Sequence, residues 1–199
     1  MLKPQDVVLA LKLLCKGKAD WSQGGLAQEL VMSASEVNAG LKRLAFAGLI
    51  EKQSDGRKWQ VIKPALREFL LYGIKYVFPA EKGAPAVGIP TANAAQPLKN
   101  HVEDTGMLPV WPSKQGKSKG YALQPLYPTV PQAALQDAEL YQWLTIVDAL
   151  RDHDNDAMDI AIVTLKEKLA GRKPQQLAQE AAAEPAAARK DDQQLDLLA

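Results

Sequence analysis

The stretch SQGGLAQELVMSASEVNAGLKRLAFAGLIEK, residues 22–52, decides the fold that this sequence predicts. Its apolar residues recur every three or four positions, which is the spacing of amphipathic helices. The run SASE at 33–36 is a capping box, in which the first serine accepts the glutamate amide and the glutamate reaches back. Two helices, 22–30 and 34–47, are therefore predicted, and Gly48 ends the second.

The residues on either side extend this pattern. Pro4 suits a first helical turn, and the apolar positions within 6–16 have helical spacing. After the second helix the pattern becomes that of short strands at 49–52 and 58–62, separated by an Asp-Gly turn. A further helix is predicted at 64–78.

This order of elements resembles the winged helix-turn-helix domain, and the resemblance covers the predicted domain 1–78. Three motifs carry it: Leu-Ala-x-x-Leu from Leu26, Ser-x-x-Glu-Val from Ser33, and Leu-Lys-x-Leu-x-x-x-Gly-Leu-Ile from Leu41. They are similar to those of bacterial regulators of the MarR-like group. The pair Gly24-Gly25 departs from that pattern. The resemblance implies binding of double-stranded DNA, with a helix in the major groove and the hairpin on the backbone or minor groove.

The outward positions of helix 34–47 and of the hairpin 49–62 carry side chains suited to that role. Asn pairs with adenine and Arg with guanine, and serines at a helix N-terminus hold phosphate. The candidate DNA-contacting residues are Ser33, Ser35, Asn38, Ala39, Lys42, Arg43, Arg57 and Lys58. The alternative interpretation is that these are ordinary solvated helix and turn residues.

The rest of the chain divides by composition. Residues 79–131 hold nine of the thirteen prolines, so we expect a Pro-rich extended segment with few regular elements, mobile around 114–120. Residues 132–170 predict an acidic helical pair that either dimerises or packs back on the first domain. Residues 171–199 predict a disordered tail. The predicted fold class is mainly α with a small β-hairpin.

The formal net charge of +1 hides a segregation of charge. Residues 1–63 carry ten Lys and Arg against six Asp and Glu, whereas residues 131–170 carry three against eight. Charge asymmetry between regions is a signal of binding partners that the net value conceals. A near-zero net charge therefore does not exclude DNA as a partner.

The sequence QLDLL at 194–198 resembles the short peptide by which bacterial replication and repair proteins dock on the sliding clamp. It departs from the usual form at its last position, where Phe is favoured. The candidate partner-peptide residues are Gln194, Leu195, Asp196, Leu197 and Leu198. The alternatives are an amphipathic end that folds onto its own domain and a chance match in a low-complexity tail.

Other chemistry finds little support in the sequence. The acidic run 152–156 begins like a calcium loop, but Ala157 stands where glycine is required and Val163 where the bidentate glutamate is required. The two histidines lie in no metal-spaced cluster or triad order. The single cysteine, Cys15, falls on an apolar helix face and predicts a buried structural thiol. We expect no enzyme activity, no cofactor, no metal and no membrane span, and a cytoplasmic location.

The sequence therefore favours a sequence-specific DNA-binding protein, a transcriptional regulator that binds as a homodimer. One alternative is an accessory protein of DNA replication, repair or mobile elements that docks on the sliding clamp through its tail. Another is a protein-interaction module that partners a co-encoded protein. Promoter footprinting, tail-dependent clamp binding and copurification of a stoichiometric partner distinguish the three.

Overall fold

A computed structural model describes residues 1–17, 19–54, 56, 58–99, 106–153 and 157–171. The described chain is mainly helical, with a two-stranded antiparallel sheet and a separate three-stranded sheet. The helical majority and the small hairpin confirm the prediction, whereas the second sheet was not predicted. No helix within the described ranges is long and apolar enough to cross a membrane.

Three helices form the front of the molecule: α1 (Pro4–Lys16), α2 (Gln23–Leu30) and α3 (Ala34–Phe46). The Ser22 side chain caps α2, since its Oγ accepts the Gly25 amide at 3.0 Å. Helix α2 ends at Val31 in the left-handed conformation, and α3 begins three residues later. The three helices bury their apolar residues in one core.

A hairpin and a longer helical segment follow. Strands β1 (Ile50–Lys52) and β2 (Trp59–Val61) pair antiparallel, with Glu51 opposite Gln60. The next helix begins as α4 (Lys63–Glu68), passes through a π turn and continues as α5 (Ile74–Val77). These elements lie where the sequence predicts them.

The second sheet occupies the Pro-rich region. Strands β3 (Lys82–Pro90), β4 (Pro109–Pro112) and β5 (Ser118–Leu123) form it. Strand β3 pairs antiparallel with both others, and β4 pairs parallel with β5, so the three strands close on themselves. A 3₁₀ turn at Ala92–Ala94 follows β3.

The prediction of a Pro-rich extended segment with few regular elements over 79–131 did not include these three strands. The strands close around glycines that allow backbone to touch backbone. A Cβ at Gly88 would lie 2.0 Å from the Trp111 carbonyl oxygen, and one at Gly120 would lie 1.9 Å from the Leu108 carbonyl oxygen. Four of the prolines lie in β3 and β4, where a proline removes a backbone donor from the strand and weakens its sequence signal.

Three helices form the rear of the molecule: α6 (Val130–Gln136), α7 (Ala138–Arg151) and α8 (Met158–Ala170). The sequence predicts α7 and α8 but not the short α6. Helix α7 packs on α1, α6 on α2, and α8 on α4. Within the described residues, the apolar face of α7 is thus buried against its own chain.

A buried polar network attaches the three-stranded sheet to α7. Asp148 Oδ2 accepts hydrogen bonds from Thr91 Oγ1 at 2.8 Å and from Trp111 Nε1 at 2.6 Å, and its Oδ1 pairs with Arg151 at 2.6 Å. Arg151 also donates to the Phe78 carbonyl at 2.8 Å. Burial raises the pKa of the Asp148 carboxyl, and the Arg151 charge and the donors from Thr91 and Trp111 oppose that rise.

A second ionic network links α1 to α2 and α7. Lys12, almost fully buried, pairs with Glu29 and with Asp137, whose carboxylate caps α7 through the amides of Glu139 and Leu140. Burial opposes ionisation of Asp137, yet the Lys12 hydrogen bond and the Leu140 amide hold its pKa below the ordinary value. The charged N-cap thus fixes the start of α7 against the front helices.

Candidate nucleic-acid interface

Helix α3 is fixed to α1 by a carboxylate inside the fold. Asp6 is fully buried, and its two oxygens accept Arg43 Nε at 2.7 Å and Nη2 at 2.6 Å. Asp6 also accepts the Lys3 amide at 2.8 Å. Gly40 lets the helices approach, because a Cβ there would lie 2.9 Å from a Leu9 methyl. This contact sets the orientation of α3.

The opposite face of α3 presents polar side chains to solvent. Ser35, Asn38 and Lys42 are exposed, and Ala39 is half-exposed between them. Their spacing of three and four residues places them along one face of the helix. An amide, a hydroxyl and an ammonium group are thus available together on a rigid element.

The N-terminus of α3 is capped as the sequence predicts, but only in one direction. Ser33 Oγ accepts the Glu36 amide at 3.1 Å and lies 2.9 Å from Ser35 Oγ. The Glu36 carboxylate turns to Arg43 and Gln5, whose hydrogen bonds hold its pKa below the ordinary value. Ser33 itself is exposed, so both serines face the solvent at the positive end of the helix dipole.

Arg43 differs from its sequence-based assignment. The prediction placed it on the outward face, where it would read guanine. Its guanidinium instead turns inward to Asp6 and Glu36, and its side chain is only 18% exposed. A buried carboxylate without a partner is very unfavourable, and Asp6 therefore holds the nearest guanidinium. Arg43 orients α3 rather than extending from it.

The hairpin carries the remaining candidates. Lys58 pairs with Asp20, an exposed residue of the turn before α2. Lys52 lies over the Trp59 ring, with Nζ 4.3 Å from the centroid. Arg57 lies outside the described residues. The described basic side chains Lys52 and Lys58 thus lie at the turn end of the hairpin, in contact with Trp59 and Asp20.

The other predicted sites lie outside the described ranges or find no counterpart within them. Residues 194–198 are not among the described residues, nor are the central acids 154–156 of the rejected calcium loop. Across the described ranges, no group of three His, Cys, Asp or Glu side chains could hold a metal ion. Cys15 is half-buried, and burial raises its pKa to about 12.

Sequence analysis missed the residue that supports α3. Asp6 follows Pro4 in the first turn of α1, where an acidic residue is ordinarily explained by the helix dipole. Its pairing with Arg43 spans 37 positions, and no local pattern reveals such a contact. The exposed lysines of the β4–β5 loop were also missed, because the sequence indicates only a mobile stretch there.

Comparison with known proteins adds no relative. No family model matches this sequence, no curated protein matches it significantly, and no solved structure matches the fold significantly.

Proposed function

We propose that this protein binds double-stranded DNA in a sequence-specific manner, as a transcriptional regulator, and that residues 1–78 form a winged helix-turn-helix domain. In this proposal α3 enters the major groove, and the β1–β2 hairpin is the wing that contacts the backbone or minor groove. The order α1, α2, α3, β1, β2 supports the domain assignment.

The observation that carries the proposal is the exposed outward face of α3. The rear helices pack on α1, α2 and α4, and Asp6 with Gly40 holds the inner side of α3 against α1. Ser35, Asn38 and Lys42 stay exposed on the other side. A rigid helix with an amide and an ammonium on one accessible face suits a groove that admits one helix.

The candidate residues then divide by task. Asn38 is the base reader, since its amide can pair with adenine in two hydrogen bonds. Ser33, Ser35 and Lys42 contact phosphates, and Ala39 makes apolar contact with the groove. Arg43 positions the helix through Asp6. The wing contributes Lys58 and Arg57.

Selection of preferred sites from a random duplex pool tests this proposal. We expect Asn38→Ala to relax the preference at one or two base pairs, by about tenfold to a hundredfold. Lys42→Ala should weaken binding to all sequences. Lys166→Ala is the control: Lys166 is also exposed but lies on α8 rather than α3, so its loss should not weaken binding. An unchanged preference in Asn38→Ala would overturn the assignment of α3.

Two other proposals remain from the sequence. Binding as a homodimer to two half-sites suits this class of domain, but α7 is buried in its own chain and would not supply the interface. The QLDLL run at 194–198 favours docking of a replication or repair accessory protein on a sliding clamp. Deletion of 194–199, followed by measurement of binding to purified clamp, tests the second of these.

A further inference from the structure

The three-stranded sheet presents a basic surface that is separate in sequence from α3 and the wing. Lys114, Lys117 and Lys119 lie on the β4–β5 loop and at the start of β5, and all three are exposed. They form no ion pair with any described residue. Residues 106–129 contain these three lysines and no Asp or Glu. We call this set the sheet lysines.

The loop that carries the sheet lysines is held in place. The Ser113 amide donates to the Val87 carbonyl at 3.3 Å, and the Gly116 amide donates to the Ser113 carbonyl at 3.1 Å. Gly116 lies directly on β3, because a Cβ there would be 2.0 Å from the Gly88 carbonyl carbon. The backbone that carries the three like charges is therefore held in place, and a bound anion would offset the repulsion among them.

The spacing of the sheet lysines fits a repeating anion. Lys117 directly precedes β5 and Lys119 is the second residue of that strand. Two positions of extended chain would separate their Cα atoms by about 6.6 Å. Two open concavities of about 370 and 460 Å³ meet at Val87, with Lys119 at the first and Lys114 at the second. One lysine thus lines each concavity.

We propose that the sheet lysines form a second contact surface for the phosphate backbone of duplex DNA. The inference rests on the proposed DNA-binding function and adds a site outside the winged helix-turn-helix domain. The neighbouring side chains are Ser113, Gln115 and Ser118, and serine, glutamine and lysine are typical contacts to phosphate and sugar.

The test is the salt dependence of DNA binding by the full chain. Fluorescence anisotropy on a selected duplex would compare the parent with K114Q/K117Q/K119Q. Each lysine on a phosphate contributes about 0.9 to the slope of log K against log salt. We expect a slope shallower by about 2 to 3 and, at 0.1 M salt, an affinity loss of roughly eightfold per lysine.

Two controls match the substitution. K114R/K117R/K119R keeps the charges and should keep the slope. K63Q/R67Q/K166Q removes the same charge from α4 and α8, and its slope should equal that of the parent chain. Equal slopes for the parent and K114Q/K117Q/K119Q would overturn the proposal, and so would an equal loss in K63Q/R67Q/K166Q.

The outcome also separates this proposal from the proposed function. If K114Q/K117Q/K119Q has the same salt slope as the parent while Asn38→Ala loses its base preference, the proposed contact by the sheet lysines is wrong. The proposed role of α3 then stands. If K114Q/K117Q/K119Q loses affinity for DNA while Asn38→Ala and Lys42→Ala change neither affinity nor base preference, the contact by the sheet lysines stands. The proposed role of α3 is then wrong. If K114Q/K117Q/K119Q loses binding to phosphatidylserine vesicles but binds DNA as the parent does, the sheet lysines contact a membrane surface. That result would overturn the proposal.

Discussion

The front helices and the three-stranded sheet both reach close packing, but by different means. Helices α1, α2 and α3 interlock apolar side chains, and one glycine, Gly40, lets α3 approach α1. The sheet closes through backbone contacts at Gly88, Gly116 and Gly120. Side-chain packing tolerates small adjustments, whereas backbone contact leaves no room for a methyl group. The sheet should therefore be the more easily broken of the two.

The largest expected effect is that of a single methyl group in the sheet. Gly88→Ala places a Cβ against the Trp111 carbonyl, and we expect a loss on the order of 4 kcal/mol in the free energy of unfolding. Gly24→Ala is the matched control, because a Cβ on this exposed helical glycine meets nothing within 4 Å. It should stabilise the protein by about 0.5 to 1 kcal/mol. Urea unfolding measures both, and equal effects would contradict the account.

The second prediction breaks the link between the sheet and the rear helices. Asp148→Ala leaves the Arg151 guanidinium, which is only 4% exposed, without a carboxylate, and leaves the Trp111 and Thr91 donors without an acceptor. We expect the free energy of unfolding to fall by about 3 to 4 kcal/mol. Asp159→Ala, at an exposed carboxylate on α8, should change stability by less than about 1 kcal/mol. If Asp148→Ala leaves the free energy of unfolding almost unchanged, the network contributes little to stability.

The third prediction concerns the corresponding pair in the front helices. Arg43→Met leaves Asp6 buried with the Lys3 amide as its remaining described donor. We expect the free energy of unfolding to fall by about 2 kcal/mol. The loss is smaller than at Asp148 because water reaches the Arg43 side chain. If Arg43→Met changes base preference and leaves the free energy of unfolding unchanged, the guanidinium faces DNA rather than Asp6.

The smallest expected effect is the pH dependence of the α1–α2–α7 ionic network. Despite burial, which opposes ionisation, hydrogen bonds from Lys12 lower the pKa of both Glu29 and Asp137. A depressed pKa stabilises the fold above the ordinary carboxyl value near 4, and that stability is lost as pH falls through the lower folded values.

Lys12→Met should therefore lower the free energy of unfolding by about 1 kcal/mol at pH 7. Between pH 5 and pH 3 the variant should lose less stability than the parent does. Lys42→Met is the control, since Lys42 is exposed and forms no ion pair among the described residues. Urea unfolding at pH 7 and pH 3 measures the difference. A parallel pH profile for parent and Lys12→Met would contradict the assignment.

The difference between the two regions also explains what the sequence could predict. The front helices follow from local signals: the caps at Ser22 and Ser33, apolar residues at helical spacing, and an Asp-Gly turn between two strands. The closing of the sheet depends on pairs such as Ile89 with Trp111, which lie 22 positions apart across three prolines. Sequence periodicity does not report such contacts.

The candidate site divides in the same way. The exposure of Ser35, Asn38 and Lys42 follows from the helical period of α3, and the structure places all three on the outer face. The inward turn of Arg43 does not follow, because it depends on Asp6 in another helix. A residue's place on a helix could be predicted, whereas the direction of a long side chain required the tertiary structure.

The most direct test of the account is a nuclear magnetic resonance titration of the full chain with its selected duplex. The account predicts that the largest amide shift changes fall on 33–42 in α3 and on the hairpin, with a second group at 113–119. The core of α7 should change little. Changes concentrated on the rear helices, with those of α3 unaffected, would contradict the claim that α3 binds DNA.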